Sequence, residues 1–558
     1  MQRNLKRIAL FLALTMMLAL VAGCSSTESS GSTLTPAQAT ESLNALLTKV
    51  SVTEIAAPLD ISGTELTSAA DELPDITNYP LSVTGTGAID VEIVASTEKA
   101  GTGMDGWFNL VAQNFNSQNM TYNNQRVSVS IRPIASGLAT EYITSGKYVP
   151  PAFTPTNELW AEMMSSKNIP FEVITKRLAG NTAGILMSKK VYTDFTAKYG
   201  ELTLPKVLNA VLDGNLLLGY TNPYASSTGL NILTAMLQAF DPNDPLSTTA
   251  IEKLQAFQKQ VPPVAYTTAQ MRESAKKGVL DAMIMEYQAY SVEPTLSDYV
   301  FTPFGVRHDS PMYAMGGITA DQKAVLQMFT DYCLAPEAQK DAVRYGFNAL
   351  DEYKGETLNL KGAQLYAAQK VWKENKDGGQ PVVAVFVADT SGSMDGTPIK
   401  ELKSSLVNAA QYIGSGNYIG LVSYSDDVYI NLPIAEFSGK QIAYFNGAVK
   451  DLSAGGGTAT YNAVLEGIKL LLDQKAAMPN AKLMLFVLSD GIQNRGYSLD
   501  QITSVVQGLS IPIHTIGYGS GADMSGLSAL SSINEASSTK ADESNVVYNL
   551  RNIFNSQI

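Results

Sequence analysis

Residues 381–393 read PVVAVFVADTSGS, and this stretch decides the fold of the last third of the chain. The run from Pro381 to Ala388 is apolar and rich in β-branched side chains, which is typical of a strand buried on both faces of a sheet. Asp389 follows at the carboxyl end of that strand, where open α/β sheets bind their ligands. A mainly parallel, doubly wound sheet is predicted by amphipathic helices and apolar strands at residues 399–413, 461–472, 483–488 and 511–516.

A second acid, Asp490, also follows a predicted strand, and the glycine-rich turn Gly455-Gly-Gly-Thr458 lies between the two acids. Because the carboxyl ends of parallel strands meet at one sheet edge, we expect both carboxylates to converge there with the hydroxyls of Ser391, Ser393 and Thr458. Such oxygen ligands suit Mg²⁺ or Mn²⁺ rather than Zn²⁺ or Cu²⁺. Neutral hydroxyls add no charge, so the cation stays electrophilic enough to accept an acidic group from a partner.

These residues resemble the metal-ion-dependent adhesion site of the von Willebrand factor A domain. The resemblance rests on Asp389-x-Ser391-x-Ser393, Thr458 and Asp490, in that order and at strand ends, and it covers about residues 381–558. It implies a Mg²⁺ site that binds protein ligands through their Asp or Glu side chains. No general base accompanies Ser391 or Ser393, so we expect a binding protein rather than an enzyme.

The composition excludes several other classes of protein. With 52 acidic against 39 basic residues the net charge is −13, and such a chain lacks the excess of Lys and Arg that nucleic-acid binding requires. Only two histidines and two cysteines occur in 558 residues, which excludes a Cys/His zinc cluster and a disulfide framework. Of the histidines, His514 lies inside an apolar strand and is expected in the core.

The amino terminus carries a targeting signal. Three basic residues precede an apolar run over residues 8–22, which is too short for a membrane span, so residues 1–23 are predicted to be a secretory signal peptide. The run ends in Leu-Val-Ala-Gly-Cys24, which resembles the lipobox of bacterial lipoproteins. The resemblance implies cleavage before Cys24, lipid on this cysteine and an extracytoplasmic protein anchored to a bacterial cell membrane. Residues 24–86 are then a Ser/Thr-rich tether with a partly ordered extension.

The middle of the chain alternates strands and helices from Ile89 to about residue 350, which is again an α/β pattern. We place this domain at 87–360, followed by a linker at 361–380. The domain resembles two-lobed extracytoplasmic solute-binding proteins, with the chain crossing between the lobes near residues 180 and 305. The resemblance implies a small-solute cleft between the lobes, with ligand-binding residues at strand ends and a helix start: Ser96, Thr97, Ser226, Ser227, Thr228 and Glu286.

This domain order supports two functions. The first is a surface-tethered lipoprotein that binds a protein ligand through the Mg²⁺-dependent site, with the solute-binding-like domain as a second binding module or a scaffold. The alternative is a solute receptor of a transport or signalling system, in which the C-terminal domain acts as a coupling module. A membrane contact through the lipid anchor is expected in both, and the identity of the protein ligand or the solute stays open.

Overall fold

In the computed structural model, the described residues form three β-sheets, of seven, six and four strands. The structure describes residues 34–60, 73–261, 271–272, 280–414, 416–490, 492–518, 521–534, 536–541 and 545–557. The predicted signal peptide and Cys24 lie outside these residues. Among the described residues, no helix is both long and apolar enough to span a bilayer.

The elements are numbered along the chain. The strands are β1 Val52–Glu54, β2 Ile89–Ala95, β3 Thr121–Tyr122, β4 Gln125–Pro133, β5 Ala152–Thr154, β6 Phe171–Thr175, β7 Thr182–Ser188, β8 Leu218–Gly219, β9 Ala282–Glu286, β10 Tyr299–Arg307, β11 Met312–Met315, β12 Val382–Asp389, β13 Tyr418–Tyr424, β14 Val428–Glu436, β15 Lys482–Ser489, β16 Ile513–Tyr518 and β17 Ser538–Ala541. Short 3₁₀ turns cover Ile76–Asn78, Gly103–Asp105, Pro294–Leu296 and Gly392–Met394.

The helices of the first two thirds of the chain are α1 Pro36–Leu47, α2 Thr97–Ala100, α3 Trp107–Ser117, α4 Ser136–Ser145, α5 Leu159–Ser166, α6 Lys189–Tyr199, α7 Leu204–Leu212, α8 Ser227–Phe240, α9 Thr248–Gln258, α10 Tyr287–Ser291, α11 Ala320–Leu334, α12 Pro336–Arg344 and α13 Ala363–Asn375. Those of the last third are α14 Thr397–Ala410, α15 Gly439–Asp451, α16 Thr460–Ala477, α17 Leu499–Leu509, α18 Met524–Ser532 and α19 Val546–Gln557.

The C-terminal domain is built on the seven-stranded sheet, in the order β1-β14-β13-β12-β15-β16-β17. Neighbouring strands run parallel except for the β13–β14 pair. Every residue of the central strand β12 is buried, and alternate side chains point to opposite faces. Phe386 packs on the face covered by α14, α15 and α19, whereas Val385 and Val387 pack on the face covered by α16, α17 and α18. This arrangement confirms the expected doubly wound α/β fold.

The segment before the middle domain also belongs to this sheet. Helix α1 begins with a capping box between Thr35 and Gln38 and buries Leu43 in the core that α16 and α17 line. Strand β1 then pairs in parallel with β14, with Val52 opposite Val428. The extension expected at residues 24–86 therefore contributes a helix and an edge strand to the C-terminal domain, and the middle domain is inserted between β1 and β12.

The middle domain has two lobes, one around each of its sheets. The first lobe contains the six-stranded sheet β3-β4-β2-β5-β11-β6, and the second contains the four-stranded sheet β10-β7-β9-β8. The chain passes between them at residues 176–181 and 308–311, close to the crossings expected near 180 and 305. One apolar core joins α4 and α5 of the first lobe to α7 and α8 of the second, so the lobes are packed together.

The segment expected to be a linker, 361–380, contains the 13-residue helix α13 instead. Leu365, Ala368 and Trp372 lie on one face of this helix and are fully buried against the second lobe and α5. The Trp372 indole donates a hydrogen bond of 2.7 Å to the hydroxyl of Tyr220. Burial of this apolar stripe stabilises the helix. The linker was predicted from the polar, glycine-containing end of the segment, which does not indicate a helix.

Candidate functional site

Asp389, the first acid of the predicted metal site, is the last residue of β12 and is fully buried. Its Oδ1 accepts a hydrogen bond from the backbone N–H of Ser391 at 2.8 Å. Its Oδ2 accepts from the hydroxyls of Ser489 at 2.6 Å and Tyr424 at 3.2 Å. Burial raises the pKa of Tyr424 well above its usual value, and the charge of Asp389 adds to this, so the phenol stays a donor. These three donors fix the carboxylate in one orientation.

The two serines connect this carboxylate to the second acid. The hydroxyls of Ser391 and Ser393 lie 3.1 Å apart, and Ser393 donates to Oδ1 of Asp490 at 2.9 Å. Asp490 directly follows β15, the parallel neighbour of β12. Burial raises the pKa of Asp490; the Ser393 hydrogen bond opposes this rise and the nearby charge of Asp389 adds to it. Four of the five predicted ligands therefore form one continuous cluster at the sheet edge.

The fifth predicted ligand, Thr458, lies on the glycine-rich turn beside this cluster. The backbone N–H of Gly455 donates to the carbonyl of Thr390 at 2.8 Å, and the N–H of Gly392 donates to the carbonyl of Gly456 at 3.0 Å. Gly456 has a φ of +82°, a conformation that glycine adopts without strain. Thr458 is buried, and its N–H donates to Oδ1 of Asn494 at 2.9 Å. The structure thus holds the Thr458 turn against the 389–393 loop.

The donor set fits a hard divalent cation. It consists of two carboxylates and three hydroxyls, all of them oxygen ligands of the kind that Mg²⁺ prefers. In the described part of the chain, no group of three or more His, Cys, Asp or Glu side chains is placed to hold a metal ion, so neutral hydroxyls have to complete any such site. Two carboxylates match the charge of one divalent cation.

Sequence reasoning missed Tyr424 and Ser489, the two residues that orient Asp389. Ser489 is visible in the sequence, since it directly precedes Asp490. Tyr424 gives no local signal, because it faces Asp389 only through the parallel register of β12 and β13. Beside the glycine-rich turn, Asp426 forms an ion pair of 3.2 Å with Arg495, and both side chains are more than half exposed.

In the middle domain, the predicted ligand residues Ser96 and Thr97 follow β2 at the lobe boundary. Ser96 is buried, and its Oγ accepts a hydrogen bond of 2.6 Å from the ammonium group of Lys99. Lys99 is also buried and donates to the carbonyls of Thr154 and Pro155 at 2.9 and 3.2 Å. Burial lowers the pKa of Lys99. Thr97 is exposed and faces a cavity between the lobes.

The three predicted hydroxyls at the start of α8 make internal hydrogen bonds. Ser226 caps the helix, because its Oγ accepts from the N–H of Gly229 at 3.4 Å. Ser227 accepts a hydrogen bond of 2.7 Å from the indole of Trp160, and Thr228 donates a hydrogen bond of 3.2 Å to Oε1 of Glu286. Two of the three hydroxyls therefore bind other parts of the protein.

Glu286, the last predicted ligand residue, is fully buried in a polar network. Its Oε2 accepts from the amide of Asn181 at 2.8 Å, and its Oε1 lies 2.9 Å from Nδ1 of His308. Oδ1 of Asn231 accepts from the N–H of Val306, and its NH₂ group donates to the carbonyl of Val306. These two bonds fix the orientation of the amide, so the NH₂ group is also the donor to Nε2 of His308, at 3.0 Å. Nε2 of His308 therefore accepts a hydrogen bond, and its Nδ1–H donates one to Oε1 of Glu286.

The cavity between the lobes has a volume of about 320 Å³ and receives Thr97 and Ser226 of the predicted set. Ser96, Ser227, Thr228 and Glu286 are not part of its wall. The wall carries Glu98, whose pKa burial raises to about 7, with a further contribution from the charge of Glu286. It also carries Asp105 and Arg272, which form an ion pair of 3.0 Å. Glu98 belongs to the loop that the sequence predicted to contact the ligand, whereas sequence reasoning missed Asp105 and Arg272.

Comparison with known families agrees with this two-domain architecture. The family model of the von Willebrand factor type A domain matches residues 384–555. The family model of the bacterial extracellular solute-binding protein matches residues 99–348. The chain therefore contains a von Willebrand factor A domain and a solute-binding domain, as the motifs indicated.

Curated relatives match between a quarter and about a third of the chain. The inter-alpha-trypsin inhibitor heavy chain H1 of Sus scrofa is 26% identical over 166 residues, which are 28% of this chain and 18% of the relative. Heavy chain H1 of Bos taurus is 26% identical over 198 residues, which are 34% of this chain and 21% of the relative. An uncharacterized protein, sll0103, of Synechocystis is 26% identical over 160 residues, 28% of this chain and 36% of the relative. The chain thus spans only about a fifth of the heavy chains that it matches.

Solved structures resemble parts of the chain at low sequence identity. A periplasmic thiamin binding protein is 13% identical, with a TM-score of 0.39, covering 53% of this chain and 99% of its own. The sulfate-binding protein SubI of Mycobacterium tuberculosis H37Rv is 12% identical, with a TM-score of 0.35, covering 51% and 91%. A von Willebrand factor type A protein of Catenulispora acidiphila is 19% identical, with a TM-score of 0.29, covering 32% and 42%.

Proposed function

We propose that this protein is a lipid-anchored, extracytoplasmic binding protein whose von Willebrand A domain binds a protein ligand through a divalent cation, with Mg²⁺ as the expected ion. The observation that carries the proposal is the cluster of Asp389, Ser391, Ser393 and Asp490 at the carboxyl ends of two neighbouring parallel strands. It has the charge and the oxygen donors that a divalent cation requires, and it lies at the edge where open α/β sheets bind ligands.

The pairing of the nearby Arg495 supports a cation in this cluster, because this arginine does not neutralise the two acids. Arg495 lies beside the Thr458 turn, but its guanidinium pairs with Asp426 and not with either acid of the cluster. Bound there, Mg²⁺ would supply an electrophilic position for a carboxylate from a partner protein. The chain's own contribution is to hold Asp389 rigid through Tyr424 and Ser489.

The lipid anchor is proposed from the lipobox-like sequence that ends at Cys24. Because α1 and β1 pack on the C-terminal domain, a tether that starts at Cys24 would reach the protein at this domain and not at the solute-binding domain. The proposed anchor would therefore attach the C-terminal domain to the membrane, with the solute-binding domain as a second module.

Cross-linking in intact cells, followed by affinity capture of this protein, tests the function. We expect wild-type protein to capture a partner in Mg²⁺, to lose it in EDTA and to regain it when Mg²⁺ is restored. Asp389→Ala should fail to capture the partner. Asp395→Ala is the matched control, because Asp395 is an exposed acid in the same loop. A partner captured equally by wild type and Asp389→Ala, in the presence of EDTA, would refute the proposal.

The interlobe cavity favours a second candidate function, that of a solute receptor. Its volume of about 320 Å³ and the charged and hydroxyl side chains that both lobes place on its wall are suitable for a small polar solute. Thermal unfolding separates the two functions. Stabilisation by Mg²⁺ with an acidic peptide favours the adhesive function, whereas stabilisation by one member of a metabolite panel, with no effect of the peptide, favours the receptor.

A further inference from the structure

A second cavity, of about 260 Å³, lies between the solute-binding domain and the von Willebrand A domain. Helices α4, α5 and α13 and the loop at residues 222–225 supply its wall on one side. Tyr412 and the last helix, α19, supply the wall on the other side. The cavity therefore exists only while the two domains are docked.

Aromatic side chains dominate this wall. Trp160 and Tyr548 are almost completely buried, with 1% and 4% of their surface exposed. Tyr224, Tyr366 and Tyr412 are half-buried, and their rings complete the lining. The surface that the wall presents to the cavity is mostly apolar, and five aromatic rings contribute to it.

The charged groups of the wall neutralise each other. Nη2 of Arg551, which is 4% exposed, lies 2.8 Å from Oε2 of Glu141. The guanidinium also lies over the rings of Tyr548 and Tyr412, at 4.9 and 5.9 Å from their centroids. The pair links the C-terminal domain to the first lobe, and its two charges cancel.

Most polar uncharged groups of the wall are engaged as well, whereas the buried hydroxyl of Tyr366 has no hydrogen-bond partner among the described residues. The amide of Gln369 donates 2.9 Å to the carbonyl of Pro223, and Oδ1 of Asn222 accepts 2.8 Å from the N–H of Tyr224. The indole N–H of Trp160 donates to Ser227. A charged ligand would lose its hydration here without gaining a free partner of opposite charge.

We propose that this junction cavity binds a small, uncharged, aromatic molecule. Ring faces supply stacking and edge-to-face contacts, and the internally paired polar groups disfavour an ion. A cavity of roughly 150 Å³ with an apolar wall is large enough for benzene, so 260 Å³ accommodates a fused bicyclic ring system. Because both domains line the cavity, the bound molecule stabilises their docking.

This site is distinct from the interlobe cavity, which has a charged wall. The two are separated by the contact between α4 and the loop before α8, where the N–H of Gly137 donates 3.2 Å to the carbonyl of Ala225. A Cβ at Gly137 would lie 2.0 Å from the carbonyl oxygen of Tyr224. The contact is too close to admit even a methyl group, so a ligand cannot pass between the two cavities at this point.

Equilibrium dialysis of the full-length protein with 2-naphthamide and 2-naphthoate, a neutral and an anionic molecule of nearly the same shape, tests the proposal. We expect 2-naphthamide to bind with one-to-one stoichiometry and 2-naphthoate to bind at least tenfold more weakly. Thr144→Trp and Asn552→Trp fill the cavity from opposite domains, and each should weaken binding of 2-naphthamide at least tenfold. Thr193→Trp, on an exposed face of α6, is the matched control and should bind as wild type does.

The proposal is overturned if 2-naphthamide does not bind up to its solubility limit, if 2-naphthoate binds as tightly, or if both cavity-filling variants bind as wild type does. Circular dichroism identifies a cavity-filling variant that fails to fold. In that case, binding of 2-naphthamide to the other cavity-filling variant decides whether the proposal holds. Mg²⁺ affinity, measured on the same samples, should be unchanged in all variants. The outcome is therefore independent of whether the metal site is functional.

Discussion

The carbonyl oxygen of Pro58 lies 1.8 Å from the point where a Cβ on Gly447 would stand. Gly447 is in the middle of α15, and the missing side chain lets residues 55–60 lie directly on this helix. The N–H of Asp60 donates 3.1 Å to the carbonyl of Ala443, and its carboxylate pairs with Lys450. Residues on either side of the solute-binding domain are thus fitted to each other as parts of one domain.

Gly447→Ala should displace residues 52–60 from the C-terminal domain. Alanine normally stabilises a helix interior by about 0.5–1 kcal/mol relative to glycine, but here its methyl group collides with the backbone of Pro58, so we expect destabilisation. Hydrogen exchange of residues 52–60 and urea unfolding measure the effect. Gly439→Ala is the matched control, because no atom lies within 4 Å of its added Cβ. Unchanged protection of residues 52–60 in Gly447→Ala would contradict the prediction.

Asp389→Ala and Asp490→Asn should each abolish Mg²⁺ binding in titration calorimetry, since either change removes half of the negative charge of the site. Ser391→Ala should weaken binding less, because water can replace a neutral hydroxyl. In the absence of metal, the two variants should differ in their free energy of unfolding. Asp389→Ala removes the carboxylate to which the buried hydroxyls of Tyr424 and Ser489 donate, and it should lower stability by about 1–3 kcal/mol. Asp490→Asn removes a desolvated charge and should not lower stability. Wild-type Mg²⁺ affinity in either acid variant would disprove the site.

Glu286→Gln should loosen the junction of the two lobes. The carboxylate accepts from Asn181, Thr228 and His308, and a glutamine would turn one acceptor into an NH₂ that faces a donor. We expect a loss of about 1–3 kcal/mol in unfolding of the solute-binding domain and faster hydrogen exchange at residues 176–181 and 308–311. Glu337→Gln, at an exposed position, should behave as wild type. Equal unfolding of both variants would argue against this network as the junction.

His514 should make the C-terminal domain less stable in acid. It is buried in β16, its ring stacks on Phe486, and burial lowers its pKa from 6.5 to about 4. As the pH falls, the unfolded state therefore binds a proton at His514 before the folded state does. The stability that the neutral, buried His514 allows is complete above about pH 6.5 and is lost as the pH falls toward 4. The loss at pH 5 is about 2 kcal/mol. Urea unfolding at pH 7 and pH 5 should show a smaller difference for His514→Phe; an equal difference in the two proteins would count against it.

Cys24→Ser should abolish labelling of the protein by a fatty-acid analogue and release it from membranes. The reason is that the thiol of Cys24 is the predicted site of lipid attachment, and 15 apolar residues are too few to span a bilayer. Membrane fractionation with metabolic labelling measures both effects. Cys333→Ser is the matched control for loss of a cysteine, because Cys333 is a buried free thiol. A labelled, membrane-bound Cys24→Ser protein would rule out the anchor.

The sequence by itself determined the two α/β domains and the order of the metal-site residues. The run before Asp389 is continuously apolar, and the helices have clear apolar stripes, because burial imposes a local period on each element. Asp389 and Asp490 both end such runs in neighbouring parallel strands, so their proximity follows from the topology of the fold. The metal itself stays a prediction, resting on the type and spacing of these side chains.

Tertiary structure alone decided where residues 34–60 lie and how the cleft residues are used. Strand β1 is short, its three residues are exposed and it has no apolar pattern, so its place depends on the free edge of β14, far along the chain. Ser227, Thr228 and Glu286 have the polar groups of ligand-binding residues, yet their partners Trp160, Asn181 and His308 come from distant segments. Local sequence encodes which groups need partners, whereas long-range packing selects which partner each group obtains.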